Sequence, residues 1–593
     1  MASPTIRSSE SEEVSRRVRE LLALCFSSVE AGGSQELEGS VKELVDCLDS
    51  LFENVASNSS DELETDDVVQ VLAEILKFLS SPQLDQDVID ALSFELPKVI
   101  FKFADLSSRC LQLVEEIIDR LVVACNPRDM LSFLCEALDA ARCSLLPSSC
   151  STPLLHGLSK VFILVQRRHY EQLKVAVPVV LNVLKDMSLE PDVQVEGVFD
   201  KALAIAVSIR DVSLKLKKEE DTKVRCLLGL YVIQITAIFS VRIRDKVASF
   251  VPLVVQLEPF LTYCGLTQLG LITGNDTERL MSTVAGGDDD DDFRSSFPDI
   301  NLGASLLFIW SKISPEVADV ANAALRNDVS ELQSNPVKRW QAYGMLKYVL
   351  SSGDLIWEFK RQTIEFLLDI TKGVTPSQCN DEQIDCSDYT PSIYAALQAV
   401  TLVMMYAPEA ALRIKTFEAL KKIVSDIPAP QRFDILRALV TNSQSPSMTA
   451  ILLGLLKDSM GRLQATDRAT ADTHVIELVE LVLKPPQGGP PHLPDQSDAV
   501  IAALNLYRFA LIFESTDKER NKVGSEVLSK KNLEKAYKEW LLPLRNVVSC
   551  SIAKKLEEDQ DQESSLDTEC LLVPLESVLY RCIELVEEIL ESH

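Results

Sequence analysis

The segment Val224–Leu261, VRCLLGLYVIQITAIFSVRIRDKVASFVPLVVQLEPFL, contains two long apolar runs joined by a charged corner at 242–246. No charged residue occurs between Cys226 and Val241, and the polar residues of that run do not alternate with the apolar ones. The run is too long for an ordinary strand, so it predicts a helix that is hydrophobic on every side and has other helices around it. Beyond the corner we expect a second helix, with Pro252 in its first turn.

Length and composition favour a helical array over a set of compact domains. The chain has 593 residues, which is far too long for a single core, and it is poor in glycine (20 residues) and in aromatic residues (6 %). A pattern of an apolar residue, proline and further apolar residues recurs at Pro97, Pro178 and Pro252. Each interval corresponds to about two repeats of roughly 40 residues. In such a repeat, proline is expected at the start of the second helix. Chance alignment among 26 prolines is the alternative. We predict an all-α fold, a HEAT/ARM-like α-solenoid of stacked helical hairpins.

Two polar stretches divide the predicted array. Gly286-Gly287 precede five consecutive aspartates, and a like-charge run of this kind repels itself and cannot pack. A segment rich in proline and glycine begins at Pro485. The predicted parts are an acidic N-terminal array (1–280), an Asp-rich linker (281–297), the first part of a C-terminal array (298–484), a Pro/Gly-rich loop (485–496) and the last part of that array (497–593).

Charge and cysteine usage restrict the partners. The net charge of −30 repels nucleic acid, and residues 1–150 alone carry 12 basic and 28 acidic residues. The 14 cysteines are scattered among apolar neighbours, as expected for buried thiols in a reducing compartment. The uncharged run at 226–241 is shorter than the roughly 20 residues of a membrane span. We therefore expect a monomer in the nucleus, the cytoplasm or both, that is not secreted and binds neither membrane nor nucleic acid.

The sequence contains none of the motifs of common enzymes. Glycine-rich phosphate loops, the His-Glu-x-x-His zinc motif and the Gly-x-Ser-x-Gly elbow are all missing, and the five histidines are dispersed. Cys379 and Cys386 have no second ligand pair nearby, which argues against zinc. We predict no catalytic residue, no cofactor and no metal. Three of the four tryptophans, Trp310, Trp340 and Trp357, occur close together and predict a tight local core.

One basic region interrupts the acidic chain. Residues 501–555 carry 11 basic and 6 acidic residues. A solvated helix face is the ordinary explanation of such a region, and a protein-binding surface is the functional one, since complementary charge steers docking while aromatic anchors supply affinity. We call the candidate contact residues the basic island: Lys518, Arg520, Lys522, Lys530, Lys531, Lys535, Lys538 and Trp540.

Three segments carry a family resemblance: LLGLYVIQITA at 227–237, PDINLGASLLFIWSKIS at 298–314 and NPVKRWQAYGMLKYVLSSGDLIWEFK at 335–360. They resemble the glomulin family, in its plant branch. The likeness in length and helical organisation extends over most of the chain, although these segments are packing elements and carry no catalytic signature.

The resemblance implies a HEAT-like protein whose C-terminal part binds the RING-box subunit of cullin-RING (SCF-type) ubiquitin ligases. Such a protein covers the docking surface of the ubiquitin-conjugating enzyme and thereby inhibits the ligase, and the plant relatives act in auxin-linked lateral root formation. The resemblance assigns no contact residue, so the basic island rests on charge alone. The alternatives are a generic HEAT-repeat scaffold or nuclear-transport-type adaptor, and, less favoured, an α-helical enzyme.

Overall fold

A computed structural model describes residues 4–30, 34–57, 62–144, 146–190, 195–243, 247–285, 296–321, 325–373, 386–461, 468–485, 488–516, 526–558 and 566–592. Within these ranges the chain forms helices joined by short turns and contains no strand. The predicted all-α fold is confirmed. The chain divides into two compact units, Met1–Leu325 with Ser352–Gln362 and Arg326–Ser351 with Thr363–His593.

In the described part of the first unit, sixteen complete α-helices pack together with two short 3₁₀ turns at Phe101–Asp105 and Ser148–Ser151. The helices are α1 (Pro4–Glu30), α2 (Ser34–Ser57), α3 (Glu62–Leu79), α4 (Gln86–Glu95), α5 (Pro97–Ile100), α6 (Ser108–Ala124), α7 (Pro127–Cys143), α8 (Thr152–Leu164), α9 (His169–Leu189), α10 (Val195–Ser213), α11 (Lys218–Val241), α12 (Val247–Tyr263), α13 (Gln268–Thr273), α14 (Asn275–Val284), α15 (Phe297–Ile313) and α16 (Pro315–Val320).

The second unit continues the helical pattern, and α19 is divided between the units. Its elements include a 3₁₀ turn at Ser387–Tyr389 and a π-helical turn at Ala536–Leu541. The helices are α17 (Leu325–Ser334), α18 (Pro336–Ser351), α19 (Trp357–Ile370), α20 (Thr390–Tyr406), α21 (Ala410–Asp426), α22 (Ala429–Asn442), α23 (Pro446–Met460), α24 (Arg468–Leu483), α25 (Ser497–Thr516), α26 (Lys530–Lys535), α27 (Leu542–Glu558) and α28 (Leu566–Ser592).

Helix α11 is the centre of the first unit. From Cys226 to Ala237 every residue is buried, and α9, α10, α12, α14 and α15 all pack on this helix. Its few polar groups are satisfied locally, because the Tyr231 hydroxyl donates to the Ala202 carbonyl (2.9 Å) and the Thr236 hydroxyl donates to the Val232 carbonyl (2.9 Å). The uncharged run therefore forms a helix buried on every side, as its sequence predicts.

The contact between α11 and α15 is unusually close at Gly303. A Cβ atom at this glycine would lie 2.0 Å from the Ile233 carbonyl oxygen. Further along the interface, the indole nitrogen of the buried Trp310 donates to the Ser240 hydroxyl at 3.1 Å. Because α15 packs along α11 in this way, it belongs to the first unit. The predicted linker at 281–297 stays a prediction.

Several local expectations differ from the structure. Pro97 does begin α5, but Pro178 and Pro252 lie inside α9 and α12 rather than in a first turn, because each helix begins upstream of its proline. Trp310 and Trp340 are both buried, Trp310 in the first unit and Trp340 in the second. The five aspartates of the predicted linker lie outside the described residues.

A buried ion pair joins two helices of the second unit. The Arg339 guanidinium of α18 donates to both carboxylate oxygens of Asp426 at the end of α21, at 2.7 and 2.5 Å, and each residue is 2 % exposed. The Tyr343 hydroxyl donates to the same carboxylate at 3.0 Å. Burial raises the pKa of Asp426, and the hydrogen bonds from Arg339 and Tyr343 oppose that rise. Such a pair fixes which surfaces of α18 and α21 meet.

Among the described residues, two helices, α11 and α25, are long and apolar enough to cross a membrane by length and composition. The apolar window of α11 is 83 % buried inside the protein, and that of α25 is 50 % buried. For α11 the burial by five neighbouring helices accounts for its composition, because a helix in a protein core has the same apolar surface as a membrane span.

We predict that Gly303→Ala destabilises the first unit by about 3 kcal/mol, because the new methyl group meets a backbone carbonyl that cannot move without separating α11 from α15. Thermal unfolding measures the change. Gly39→Ala in α2 is the control, since no atom lies within 4 Å of its Cβ position and alanine should stabilise the helix by about 0.5–1 kcal/mol. Equal unfolding temperatures for the two variants would contradict the close packing.

We also predict that Glu258→Gln in α12 stabilises the protein only at high pH. Glu258 is 2 % exposed, its Oε1 has no hydrogen-bond partner among the described residues, and burial raises its pKa to about 7. The folded state then holds a proton that the unfolded state loses above pH 4.5 or so, so stability falls as the pH rises from there to about 7. At pH 8 the gain from glutamine should reach about 3 kcal/mol.

Denaturant unfolding at pH 5 and pH 8 tests this expectation. Glu278→Gln, at an exposed position of α14, is the matched control and should change stability little at either pH. If Glu258→Gln gave the same stability change at both pH values, the carboxyl group would not be held neutral in the fold.

Candidate partner-binding surface

The basic island lies partly within the described residues of the second unit. Lys518, Arg520 and Lys522 fall outside them. Lys530, Lys531 and Lys535 lie on α26, and Lys538 and Trp540 lie on the π-helical turn that follows it. The described part of the island therefore consists of one short helix and the turn beyond it.

Local sequence explains this arrangement. The Ser529 hydroxyl caps α26 by accepting from the Asn532 amide at 3.4 Å, which is the usual role of serine before a helix. The π-helical turn ends at Leu541, and Pro543, which has no amide hydrogen to give, follows in the first turn of α27. The wide turn places Ala536, Trp540 and Leu541 inside the unit.

Nearby carboxylates neutralise much of the island's charge. The Lys535 ammonium lies 2.8 Å from Glu480 of α24, and Lys538 pairs with Glu534 at 3.1 Å. Lys530 and Lys531 are exposed and form no ion pair with any residue the structure describes. The free positive charge of the described island is therefore confined to this adjacent pair.

Trp540 does not lie on the surface. Its side chain is 1 % exposed and packs edge-on against the Tyr507 ring of α25, with 6.0 Å between ring centroids. The proposed aromatic anchor is therefore a core residue, because a ring of this size contributes most when it is fully buried. Tyr537, by contrast, is partly exposed, and its hydroxyl donates to Glu587 at 2.7 Å.

A second surface feature of this unit was not predicted. Leu402, Met405 and Tyr406, at the end of α20, are 41, 39 and 70 % exposed. They line a groove of about 530 Å³ whose other wall is formed by α22, α23 and the turn between them. The sequence TLVMMY at 401–406 signals only that α20 is apolar, which by itself predicts burial.

Within the described ranges, no group of three or more histidine, cysteine, aspartate or glutamate side chains lies close enough together to hold a metal ion. Burial raises the pKa of the Cys135 and Cys264 thiols to about 12, so neither thiol is a ready nucleophile at neutral pH.

Fold and surface together define an all-α scaffold of stacked helices, a class that acts through contacts along an extended array. The chain belongs to the family described as "Uncharacterised protein family, YAP/Alf4/glomulin", whose model matches residues 35–582. The glomulin resemblance found in the sequence is thereby confirmed.

Individual relatives agree with this assignment. Aberrant root formation protein 4 of Arabidopsis thaliana is 77 % identical over 597 residues, covering 99 % of this chain and 95 % of that protein. Glomulin of Mus musculus is 25 % identical over 138 residues, covering 23 % of each chain. Among solved structures, a circular tandem repeat protein matches with a TM-score of 0.31 and 13 % identity, covering 98 % of each chain. The fold assignment rests on the helices of this chain itself.

We predict that Trp540→Ala lowers the stability of the second unit by about 3–5 kcal/mol, because it empties a core position beside Tyr507. Lys531→Ala, at an exposed position on the preceding helix, is the control and should change stability by less than about 0.5 kcal/mol. Chemical denaturation of the full chain measures both. If the Trp540→Ala protein were as stable as the control, the Trp540 ring would not be a core residue.

Proposed function

We propose that this chain is a non-catalytic inhibitor of cullin-RING (SCF-type) ubiquitin ligases. In this proposal its C-terminal array, residues 298–593, binds the RING-box subunit and blocks docking of the ubiquitin-conjugating enzyme. The observation that carries the proposal is membership of the glomulin family over residues 35–582. The partner and the activity are those that the glomulin resemblance implies.

The physical mechanism is steric competition. An inhibitor of this kind needs no general base or nucleophile, because it acts by covering a surface that another protein must reach. About 800 Å² on each partner is enough for a standard protein interface. A helical array suits the task, since its exposed side chains are held in place by helices packed behind them, and little entropy is lost on binding.

The second unit has features that support this role. Lys530 and Lys531 are exposed cations on a chain of net charge −30, so they can select for an acidic patch on a partner. The net negative charge of the chain disfavours contact with nucleic acid. The apolar side chains at the end of α20 are exposed in the same unit.

A reconstituted reaction tests the proposed activity. Ubiquitin transfer from a charged conjugating enzyme is followed in a single turnover with a purified cullin–RING-box complex, with and without an excess of the full chain. We expect slower transfer and direct binding of RING-box protein to the full chain. Undiminished transfer together with no measurable binding would overturn the proposed function.

A charge-reversal variant tests the basic island separately. Lys530→Glu with Lys531→Glu should weaken RING-box binding roughly tenfold at low ionic strength, about 1.4 kcal/mol, with a smaller effect at high salt. Lys217→Glu with Lys218→Glu is the control, since these adjacent exposed lysines begin α11 in the first unit and the charge change is the same. Equal binding by the two double variants would remove the island from the interface while leaving the inhibitory activity itself standing.

A further inference from the structure

The turns after α8 and α10, at residues 165–168 and 214–217, lie side by side in the first unit. The backbone amide of Tyr170, at the start of α9, donates to the Glu220 carboxylate in the first turn of α11 at 3.3 Å. The Lys223 ammonium of α11 lies 5.6 Å from the centroid of the Tyr170 ring, and α9 packs along α11. The two turns therefore form one continuous piece of surface.

This piece of surface is basic, although the chain as a whole has a net charge of −30. Residues 165–174 and 214–225 together carry eight basic and four acidic residues. The acidic ones are Glu171, Glu219, Glu220 and Asp221. The last two are engaged within the unit, by the Tyr170 amide and by Arg225 respectively. The positive charge is therefore only partly neutralised from within.

Six of these basic side chains are exposed and pair with no carboxylate that the structure describes. We call them the turn patch: Arg167, Arg168, Lys215, Lys217, Lys218 and Lys223. Many basic side chains elsewhere in the first unit do find a carboxylate, as Lys102 does with Asp49 and Lys160 with Asp119, both at 2.6 Å. The turn patch is therefore available to acidic groups from outside the unit.

The turn patch does not stabilise the helices that follow it. Arg168 and Lys217 occupy the positions immediately before α9 and α11, and neither side chain caps its helix. A positive charge at the start of a helix opposes the helix macrodipole, which favours acidic residues there. Local folding therefore gives no reason for basic residues in these two turns.

Exposed apolar side chains flank the cations. Leu214 directly precedes Lys215 and is 64 % exposed, and Ile163 and Leu164, at the end of α8, are 40 and 41 % exposed. Complementary charge steers the encounter of two proteins, and apolar contacts supply affinity once they have met. An acidic segment that also contains apolar residues would satisfy both parts of this surface.

The dimensions suit a short segment better than an extended polyanion. Packed helices lie about 8–10 Å apart, so roughly three extended residues bridge the two turns. Exposed charges separated by more than about 8 Å are largely screened at physiological salt, so the acidic remainder of the chain repels a short segment only weakly. A nucleic acid or an anionic membrane extends far beyond the turn patch and would face that remainder.

We infer that the turn patch binds a short acidic segment of a partner protein, in which apolar residues are interspersed among aspartates and glutamates. Its carboxylates pair with the cations of the two turns, and its apolar side chains cover Leu214 and the end of α8. The turn patch lies in the first unit, whereas the proposed RING-box contact lies in residues 298–593. The inference therefore adds a second binding surface and does not depend on the ligase partner.

Direct titration of the full chain tests this inference. The probe is a fluorescently labelled synthetic peptide that repeats glutamate, aspartate and leucine, and fluorescence anisotropy measures its binding. We expect saturable binding that weakens as the ionic strength rises. The variant Arg167→Glu with Lys215→Glu, with one change in each turn, should bind the peptide about tenfold more weakly or worse.

The control variant is Lys42→Glu with Arg109→Glu, which changes the charge of the first unit by the same amount. Both positions are exposed and lie on α2 and α6, outside the turn patch. Peptide binding to this control should equal that of the unsubstituted chain. If the turn-patch variant unfolds at a lower temperature, Arg167→Gln with Lys215→Gln replaces it and should still bind more weakly than Lys42→Gln with Arg109→Gln.

A second comparison tests the apolar part of the surface. Leu214→Ser should weaken binding of the leucine-containing peptide severalfold, and it should not change binding of a peptide with serine at the leucine positions. The side chain is 64 % exposed, so this substitution leaves the fold itself nearly unchanged.

Four results would overturn the inference. They are no saturable binding of the peptide, equal losses in the turn-patch and control variants, an equal response of both peptides to Leu214→Ser, and tighter binding of phosphatidylserine vesicles or duplex DNA than of the peptide. RING-box binding by the Arg167→Glu with Lys215→Glu variant should be unchanged, so this inference and the proposed function are tested separately.

Discussion

The first unit depends on the burial of a helix that has no polar face. From Cys226 to Ala237, α11 has no side that could be exposed to water without exposing large apolar side chains. Burying one aliphatic side chain stabilises a fold by about 1.5–3 kcal/mol. The free-energy cost of leaving every apolar side chain of such a helix in water would therefore exceed the whole stability of a typical domain. The neighbouring helices are therefore held around α11, and the close approach at Gly303 is one consequence of that crowding.

The second unit is organised by a different interaction, the buried pair of Arg339 and Asp426. A bidentate pair in the interior contributes little net stability, because both charges lose their hydration. The pair instead fixes the relative position of the helices, because its hydrogen bonds are directional. The Asp426 carboxylate also accepts from Tyr343, and the Arg339 guanidinium also donates to the carbonyls of Leu332 and Gln333. Any shift of α18 along α21 would leave several of these groups unpaired, so the register of the two helices is fixed.

Sequence reasoning succeeded where one physical effect dominated. The uncharged run of α11 could only be a buried helix. Asn335 followed by Pro336 is a pattern typical of a helix start, and at the start of α18 the Asn335 side chain accepts from the Lys338 amide. It failed where several effects compete. Pro252 can begin a helix or be tolerated within one, and only the packing of α12 decides between them. Trp540 next to lysines could be an anchor or a core residue, and its contact with Tyr507 is 33 positions distant in sequence and so invisible to local patterns.

The groove beside α20 is a second feature that the sequence could not predict. Helix α20 is apolar along most of its length, so composition alone cannot separate its buried side chains from its exposed ones. Only the arrangement of the other helices leaves Leu402, Met405 and Tyr406 uncovered. Burying these side chains would add stability, and an exposed apolar face of this kind is a characteristic of binding sites.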